Sequence, residues 1–392
     1  MTLNPFHPAT VIHILRRTHQ IRGLGRTFLG SRNQHEQADA LRTIKAAGVR
    51  AAKAGQLGYV QDGSSLQREF YREMWRTAAE EIGAEFTPLE GTVWDVTYRG
   101  KRTRLNFQQT ELDNPVTLNV AGDKALCHKI LADGGLPVPD YLLFSPREIS
   151  EAHRFIERHQ GYFVVKPAVG TSAARGITTF VRSLNECTRA TAIASAYSQR
   201  VLIERMVPGE LYRLLVLRGK VIHAIRRPGL RIRGDGRSTI AQLTRRGLCE
   251  RLPSPAQSDR ELEKDRDLLT NLHAQNLTLR SIPEHGAELI VKSCRCSMGR
   301  ETEENPTYEE DVTGLLGGDV RAAAVEAARL IHSEFAGVEL ITPDTGTPVR
   351  VGTGRIIEIN TTPGLGPHFD LSNGSGAANP AVVVLRTLLG VE

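Results

Sequence analysis

The sequence predicts an α/β protein built from more than one lobe. The chain has 392 residues, and single hydrophobic cores stop growing at roughly 250–300 residues. Short apolar runs bounded by glycine or proline alternate with segments of helical periodicity, the pattern of mixed sheet and helix. Hydrophobic residues make up 40% and charged residues 24% of the chain, which is ordinary for a globular protein. No internal repeat is visible, and no apolar run reaches the roughly 18 residues a membrane-spanning helix needs.

The net charge of +6 favours anionic partners, among them nucleotides, carboxylates and nucleic acid. The excess is concentrated near the N-terminus. Arg16, Arg17, Arg22, Arg26, Arg32, Arg42, Lys45, Arg50 and Lys53 face only Glu36 and Asp39 up to residue 60. Residues 1–33 read as a basic arm and 34–120 as a small domain ahead of the main body, 121–392. The arm is expected to be a solvated helical face or a subunit contact, which makes a homodimer the candidate assembly. Without aromatic interleaving for base stacking, nucleic acid is not the expected partner. Five cysteines (Cys127, Cys187, Cys249, Cys294, Cys296) show no framework spacing. With no secretory signal, that points to the reducing cytoplasm. Cys294 and Cys296 lack the second pair and spaced histidines that would make zinc binding persuasive.

In order along the chain, helix is expected from about Gln34 to Gln56. A stronger helix runs from Ser65 to Ile82, where Phe70, Trp75, Ala78 and Ile82 recur at helical spacing. A hairpin follows, Thr92–Tyr98 and Arg102–Phe107 about the turn Arg99-Gly100-Lys101. A helix is expected from Asp123 to Leu131, stopped by Gly134-Gly135. Ser145, with Glu148 three residues on, should cap a helix reaching Arg158. Strands are expected at Tyr162–Lys166, Ile177–Phe180 and Val201–Glu204, with a helix at Leu184–Tyr197. A second hairpin, Tyr212–Arg218 and Lys220–Ile225, turns at Gly219. Gly247–Arg280 is expected to be mostly helical, with a surface loop at Pro253-Ser254-Pro255, and Ala322–Phe335 to be an Ala-rich helix. Strands Val338–Thr342 and Arg355–Asn360 and a closing helix Asn379–Leu389 complete the chain, with Pro380 suited to a first turn.

Four stretches carry chemistry. Lys124, Lys166 and Arg213 can place fixed positive charges against a triphosphate. The small-residue loop Gly170–Gly176 lets backbone approach phosphate oxygens, although it matches neither common phosphate-loop pattern. On one strand, Glu358 and Asn360 are two residues apart and point to the same face. With Glu339 on a preceding strand they form an oxygen donor set suited to Mg²⁺. Arg226, Arg227, Arg231 and Arg233 cluster before Gly234-Asp235-Gly236. They read either as a solvated basic face or as recognition of an acidic substrate. His368, after Pro363-Gly364, reads either as an acceptor-site residue or as a packed histidine.

From about Leu118 to Leu389 the chain resembles the ATP-grasp superfamily, most closely its cyanophycin synthetase-like branch. The residues that carry the resemblance are Ala121-Gly122-Asp123-Lys124, Gly135-Leu136-Pro137-Val138-Pro139, Val164-Val165-Lys166-Pro167, Glu204 through Val216, Gly234-Asp235-Gly236-Arg237-Ser238-Thr239-Ile240, Gly337 through Asp344, and Ile357-Glu358-Ile359-Asn360 with Pro363-Gly364. The resemblance implies an ATP-grasp fold with nucleotide held between two lobes, the mobile small lobe spanning about 160–240. It implies an ATP-dependent carboxylate–amine ligase working through an acyl-phosphate on amino acids or small peptides, with ATP and Mg²⁺ as cofactors and Mn²⁺ as the alternative ion.

By position, Lys124 and Lys166 would contact the nucleotide, and Gly170, Thr171, Ser172, Ala173 and Gly176 would cover its phosphates. Backbone groups of Glu204, Arg205, Met206 and Val207 would meet adenine, and Glu210 the ribose. Arg213 would sit at the phosphate or acyl-phosphate, Arg227 would take the acid substrate, and Glu339, Glu358 and Asn360 would hold the metal. Asp344 is the alternative to Glu339. No second ligase half is present, so polymer synthesis by this chain alone is not expected. Two other classes stay open: a nucleotide-binding module without turnover, and a nucleic-acid-binding protein using the arm.

Overall fold

The computed structural model describes residues 65–171, 175–249, 262–263, 265–292, 309–369, 371–374, 376 and 378–391. The basic arm, the helix expected at Gln34–Gln56, Ser172 to Ala174, the Pro253–Pro255 loop and the Cys294–Arg300 stretch lie outside these residues.

Helix α1, Ser65–Glu81, turns Tyr71, Met74, Trp75, Ala78 and Ala79 inward. The buried Trp75 indole N–H donates to the Phe107 carbonyl at 2.9 Å. Three antiparallel strands follow, β1 Glu85–Pro88, β2 Val93–Tyr98 and β3 Lys101–Asn106. Arg99 and Gly100 both take positive φ, 47° and 81°, as a two-residue hairpin turn requires. The polar edge strand β1 is an addition to the sequence expectation. So is helix α2, Pro115–Gly122, which Asn114 caps by accepting from Val116 and Thr117 N–H. Helix α3 is Lys124–Asp133. Asp123 is its cap rather than its first residue, accepting from Leu126 N–H at 3.1 Å.

The next sheet combines β4 Tyr141–Phe144, β5 Phe163–Pro167, β6 Thr178–Val181 and β7 Val201–Arg205, in the order β4-β7-β5-β6. Helices α4, Ile149–Arg158, and α5, Leu184–Ser195, cover one face through Ala152, Ile156, Cys187, Ala190 and Ala194. The Ser145–Glu148 capping box forms as expected; a short 3₁₀ turn separates it from α4.

The larger sheet has the order β12-β9-β8-β13-β14. Its strands are β8 Glu210–Leu217, β9 Lys220–Arg226, β12 Glu310–Asp311, β13 Phe335–Thr342 and β14 Arg355–Thr361. The stretch expected as a small lobe, about 160–240, is therefore divided: β8 and β9 pair with the C-terminal strands, while the four-stranded sheet begins at Tyr141. Between β9 and β12 lies a satellite. It consists of the antiparallel ribbon of β10 Leu230–Arg233 and β11 Glu288–Lys292, packed with α6 Ile240–Cys249 and α7 Arg266–Ala274. Within Gly247–Arg280, expected to be mostly helical, most of the described residues are helical. Helix α6 starts earlier, α7 is short, and 275–287 runs as turns.

Helix α8, Gly318–Leu330, ends five residues before the expected Phe335. His332 adopts a left-handed conformation (φ 58°), and Ser333 N–H returns to the Ala328 carbonyl at 3.0 Å. This closes the helix and frees Phe335 to open β13. The last helix, α9 Pro380–Leu389, has Asn379 as its cap.

Alternation along β8 and β13 decides which face of the large sheet carries chemistry. Leu214, Val216, Ala336, Val338 and Leu340 pack against α3 and α8. The opposite face carries Leu215, Leu217 and Phe335 at one end, where α1 and α9 cover them. At its other end it carries Arg213, Gly337 and Glu339. The N-terminal lobe so buries half of that face and leaves the other half for polar residues. No helix among the described residues is long and apolar enough to cross a membrane.

Candidate active site

Strand register brings the expected residues of the large sheet into one row. Glu339 is the Cα partner of Arg213 on one side and of Glu358 on the other. Gly337 is opposite Asn360. Arg213 Nη1 lies 3.6 Å from Glu339 Oε1, and Arg227 Nη1 lies 3.5 Å from the same oxygen. A side chain at 337 would disturb this: a Cβ there would sit 3.0 Å from Pro363 Cβ and 3.1 Å from Arg213 Nε. The glycine is thus a space requirement of Arg213.

On the small sheet, Lys166 and Glu204 lie diagonally on paired strands, on the face away from α4 and α5. They are 1% and 3% exposed. Lys166 Nζ is 2.5 Å from Glu204 Oε1. Burial opposes the Glu204 charge, but the Lys166 ammonium and His128 outweigh it and hold the carboxyl down at about 2.

Helix α3 joins the two sheets. Lys124 Nζ is 3.1 Å from Glu358 Oε1 on the large sheet. One turn later, His128 Nε2 donates to Glu204 at 2.7 Å on the small one. The start of α3 is pinned to the end of β5 by Lys124 N–H to the Ala168 carbonyl, 3.0 Å. Burial works against the Lys124 ammonium, yet Glu358, Glu204 and Glu339 together raise its pKa.

Other expected residues are placed differently. Arg205 and Met206 N–H already donate to the carbonyls of Asp140 and Tyr162. An adenine edge would therefore meet the carbonyls here and Val207. Glu210 is held by Arg231 at 2.8 Å, and Arg226 pairs with Glu310 at 2.6 Å; these contacts support the framework rather than a free basic patch. Gly170 and Gly176 both have φ of 76°, with Thr171 partly exposed; Ser172 and Ala173 lie outside the described residues. Asp344 accepts from Gly346 and Thr347 N–H in an exposed turn, away from any pairing with Glu358. Gly234 serves packing: a Cβ there would lie 2.1 Å from the Glu284 carbonyl oxygen. Asp235 folds onto Arg237 and Ser238 N–H ahead of α6.

Sequence reasoning missed His128, whose i+4 spacing from Lys124 puts both on one helix face. It also missed Glu309, which accepts from Arg227 Nε at 2.7 Å, and the pairing of His368 with His223, whose Nδ1 atoms are 3.0 Å apart. His368 is packed, at 1% exposure. Burial, together with Arg213, His223 and Arg227, holds its pKa well below the ordinary value.

No family model matches the chain. Cyanophycin synthetase of Trichormus variabilis is 28% identical over 284 residues, 71% of this chain and 30% of that protein. The glutathione biosynthesis bifunctional protein GshAB of Enterococcus faecalis is 31% identical over 286 residues, 69% of this chain and 36% of that one. The bifunctional glutathione synthetase from Pasteurella multocida has a crystal structure with the same fold. It matches at a TM-score of 0.53 and 20% identity, over 82% of this chain and 43% of that one. The chain shares the ATP-grasp part of these relatives and its fold. This ATP-grasp chain spans about a third of the length of the curated relatives it matches. The facing surfaces of its two sheets, joined by α3, are the part of the fold in which the expected site residues converge.

Proposed function

We propose that this ATP-grasp chain is an ATP-dependent carboxylate–amine ligase that works through an acyl-phosphate, with residues 34–120 as a supporting domain and 121–392 as the catalytic body. The observation that carries the proposal is the pairing of two charged sheet faces through one helix: Lys166 and Glu204 opposite Arg213, Glu339 and Glu358, with Lys124 and His128 between. The cations are already placed by carboxylates, so a triphosphate entering between the sheets would exchange partners with them rather than recruit them.

The donor set suits Mg²⁺, which prefers hard oxygen ligands. Glu339, Glu358 and Asn360 offer two carboxylates and an amide from neighbouring positions on paired strands. Mn²⁺ accepts the same set. When bound, the ion would offset charge on the phosphoryl oxygens. Lys124, Lys166 and Arg213 would do the same from fixed positions. A carboxylate oxygen of the acid attacks the γ-phosphorus and ADP leaves. The amine nitrogen then attacks the acyl carbon, the C–N bond forms, and the C–O bond to phosphate breaks as phosphate departs.

The relatives are ATP-grasp ligases acting on amino acids or peptides, and we assign the same substrate class here. A cytoplasmic location and a homodimer belong to the same proposal. The test is phosphate release from ATP and Mg²⁺ against a panel of amino acids and dipeptides, with Glu358→Ala alongside. Stimulation by particular pairs, absent in the variant, supports the ligase. ATP binding with no stimulated release across the panel favours a nucleotide-binding module without turnover.

A further inference from the structure

Buried polar atoms without partners gather around the two arginines of the large sheet. Among the described residues, Arg213 Nε, Glu309 Oε2 and His368 Nε2 are buried with no hydrogen-bond partner. Glu309 is 4% exposed and His368 1%. The three share one environment. Glu309 lies in the fields of Arg227, Arg213 and Glu339, and His368 in those of Arg213, His223 and Arg227. Folded proteins seldom leave such atoms unsatisfied, so each calls for a partner, a water or a ligand atom.

Glu309 asks for a cation or a strong donor. Its Oε1 accepts from Arg227 Nε at 2.7 Å, but Arg227 also reaches Glu339 at 3.5 Å, so one guanidinium serves two carboxylates. The residue is held in place and is not part of a solvated acidic run: its own carbonyl accepts from Ser372 N–H at 2.9 Å and from Ser372 Oγ at 3.1 Å. His368 is not the missing cation, because it is paired with His223 and lies beside two arginines. Arg213 is engaged with Glu339. What fits is a small positively charged group arriving from outside.

We infer that Glu309 anchors the amine substrate through its ammonium group, beside the position Arg213 gives to the acyl-phosphate. The inference rests on the ligase reading and deepens it: the acceptor is an amine that enters protonated, and Glu309 selects it. One ammonium proton passes to the Glu309 carboxylate to free the nitrogen lone pair for attack, and the second leaves with the departing phosphate. Burial keeps the Glu309 carboxyl above its ordinary pKa against the pull of Arg227, as expected of a carboxylate still short of a counter-charge.

The experiment compares two nucleophiles. Hydroxylamine, uncharged at neutral pH, traps acyl-phosphates as hydroxamates without needing an ammonium site. The amino acid ligated fastest by the wild type supplies the charged amine. Glu309→Gln keeps an acceptor for Arg227 but removes the charge. It is expected to form hydroxamate within about twofold of wild type. Its KM for the amino acid should rise about 10- to 100-fold, the scale of one charge-assisted hydrogen bond. Glu309→Asp, which keeps the charge, should recover part of that loss, and melting curves confirm that both variants fold.

If hydroxamate formation and ligation fall together in Glu309→Gln, the residue merely positions Arg227 and the inference is overturned. It is equally overturned if neither changes, or if the wild type traps hydroxamate yet ligates no amino acid. A wild type that forms no hydroxamate with any acid refutes the ligase reading itself, a result distinct from the others.

Discussion

Replacing Glu204 with Gln leaves the Lys166 ammonium, 1% exposed, without the carboxylate 2.5 Å away that balances it. The size of the effect follows from the carboxyl's displacement. Its pKa falls from an ordinary 4.5 to about 2 in the folded protein, a shift worth about 3 kcal/mol of stability at neutral pH. Breaking a buried pair by removing one partner gives a similar figure of about 3–5 kcal/mol. Because the folded pKa is depressed, this contribution is fully present above pH 4.5 and is lost as the pH falls toward 2. Urea unfolding followed by circular dichroism at pH 7 should therefore show Glu204→Gln less stable by about 3 kcal/mol. At pH 3 the gap between variant and wild type should narrow clearly. Other carboxyls titrate in the same window, Asp311 with its pKa of about 2 among them, but they do so in both proteins and cancel in the difference. Lys166→Met combined with Glu204→Gln should lose less than the two single changes added together. A gap that stays the same from pH 7 to pH 3 would refute the charge argument and leave packing as the cause.

Three further outcomes are expected. Gly337→Ala places a methyl 3.1 Å from Arg213 Nε and 3.0 Å from Pro363 Cβ. Stability should change by about 1–3 kcal/mol, while ATP-dependent phosphate release falls at least about tenfold as Arg213 shifts. Gly234→Ala puts a methyl 2.1 Å from the Glu284 carbonyl oxygen; backbone must move, and a thermal melt should show destabilisation of about 1–3 kcal/mol. Asn379→Ala removes the acceptor for Ala381 N–H at the start of α9. Chemical denaturation should report a loss of about 1 kcal/mol, with catalysis little changed.

The hairpins, the Ser145–Glu148 capping box and the E-x-N strand were legible in the sequence because their signals are local. Arg99-Gly100 and Arg218-Gly219 need positive φ, Ser145 and Glu148 cap one another, and two-residue spacing puts Glu358 and Asn360 on one face. What stayed hidden depends on distant partners. Ile331 and Phe335, four residues apart, extend the helical spacing of the Ala-rich stretch and conceal the end of α8, which is set by the backbone of His332. Glu309 sits in an acidic stretch with Glu310 and Asp311 and reads as solvated; only Arg227 and Ser372, far away in sequence, reveal it as buried. Arg226, Arg227 and Arg231 cluster in the sequence, yet the structure pairs them with Glu310, Glu309 and Glu210. Strands β10 and β11 pair across more than fifty residues, and no local pattern joins Leu230 to Lys292. The role of Gly337 is legible only once β8 and β13 are paired.

In the proposed reaction a substrate carboxylate is phosphorylated by ATP before the amine attacks. The test uses a substrate acid labelled with oxygen-18 in the carboxylate, turned over with ATP, Mg²⁺ and the amine, with mass analysis of the phosphate released. An acyl-phosphate route transfers a labelled oxygen from the carboxylate to the inorganic phosphate, in step with product formed. Product made with unlabelled phosphate would rule out the acyl-phosphate.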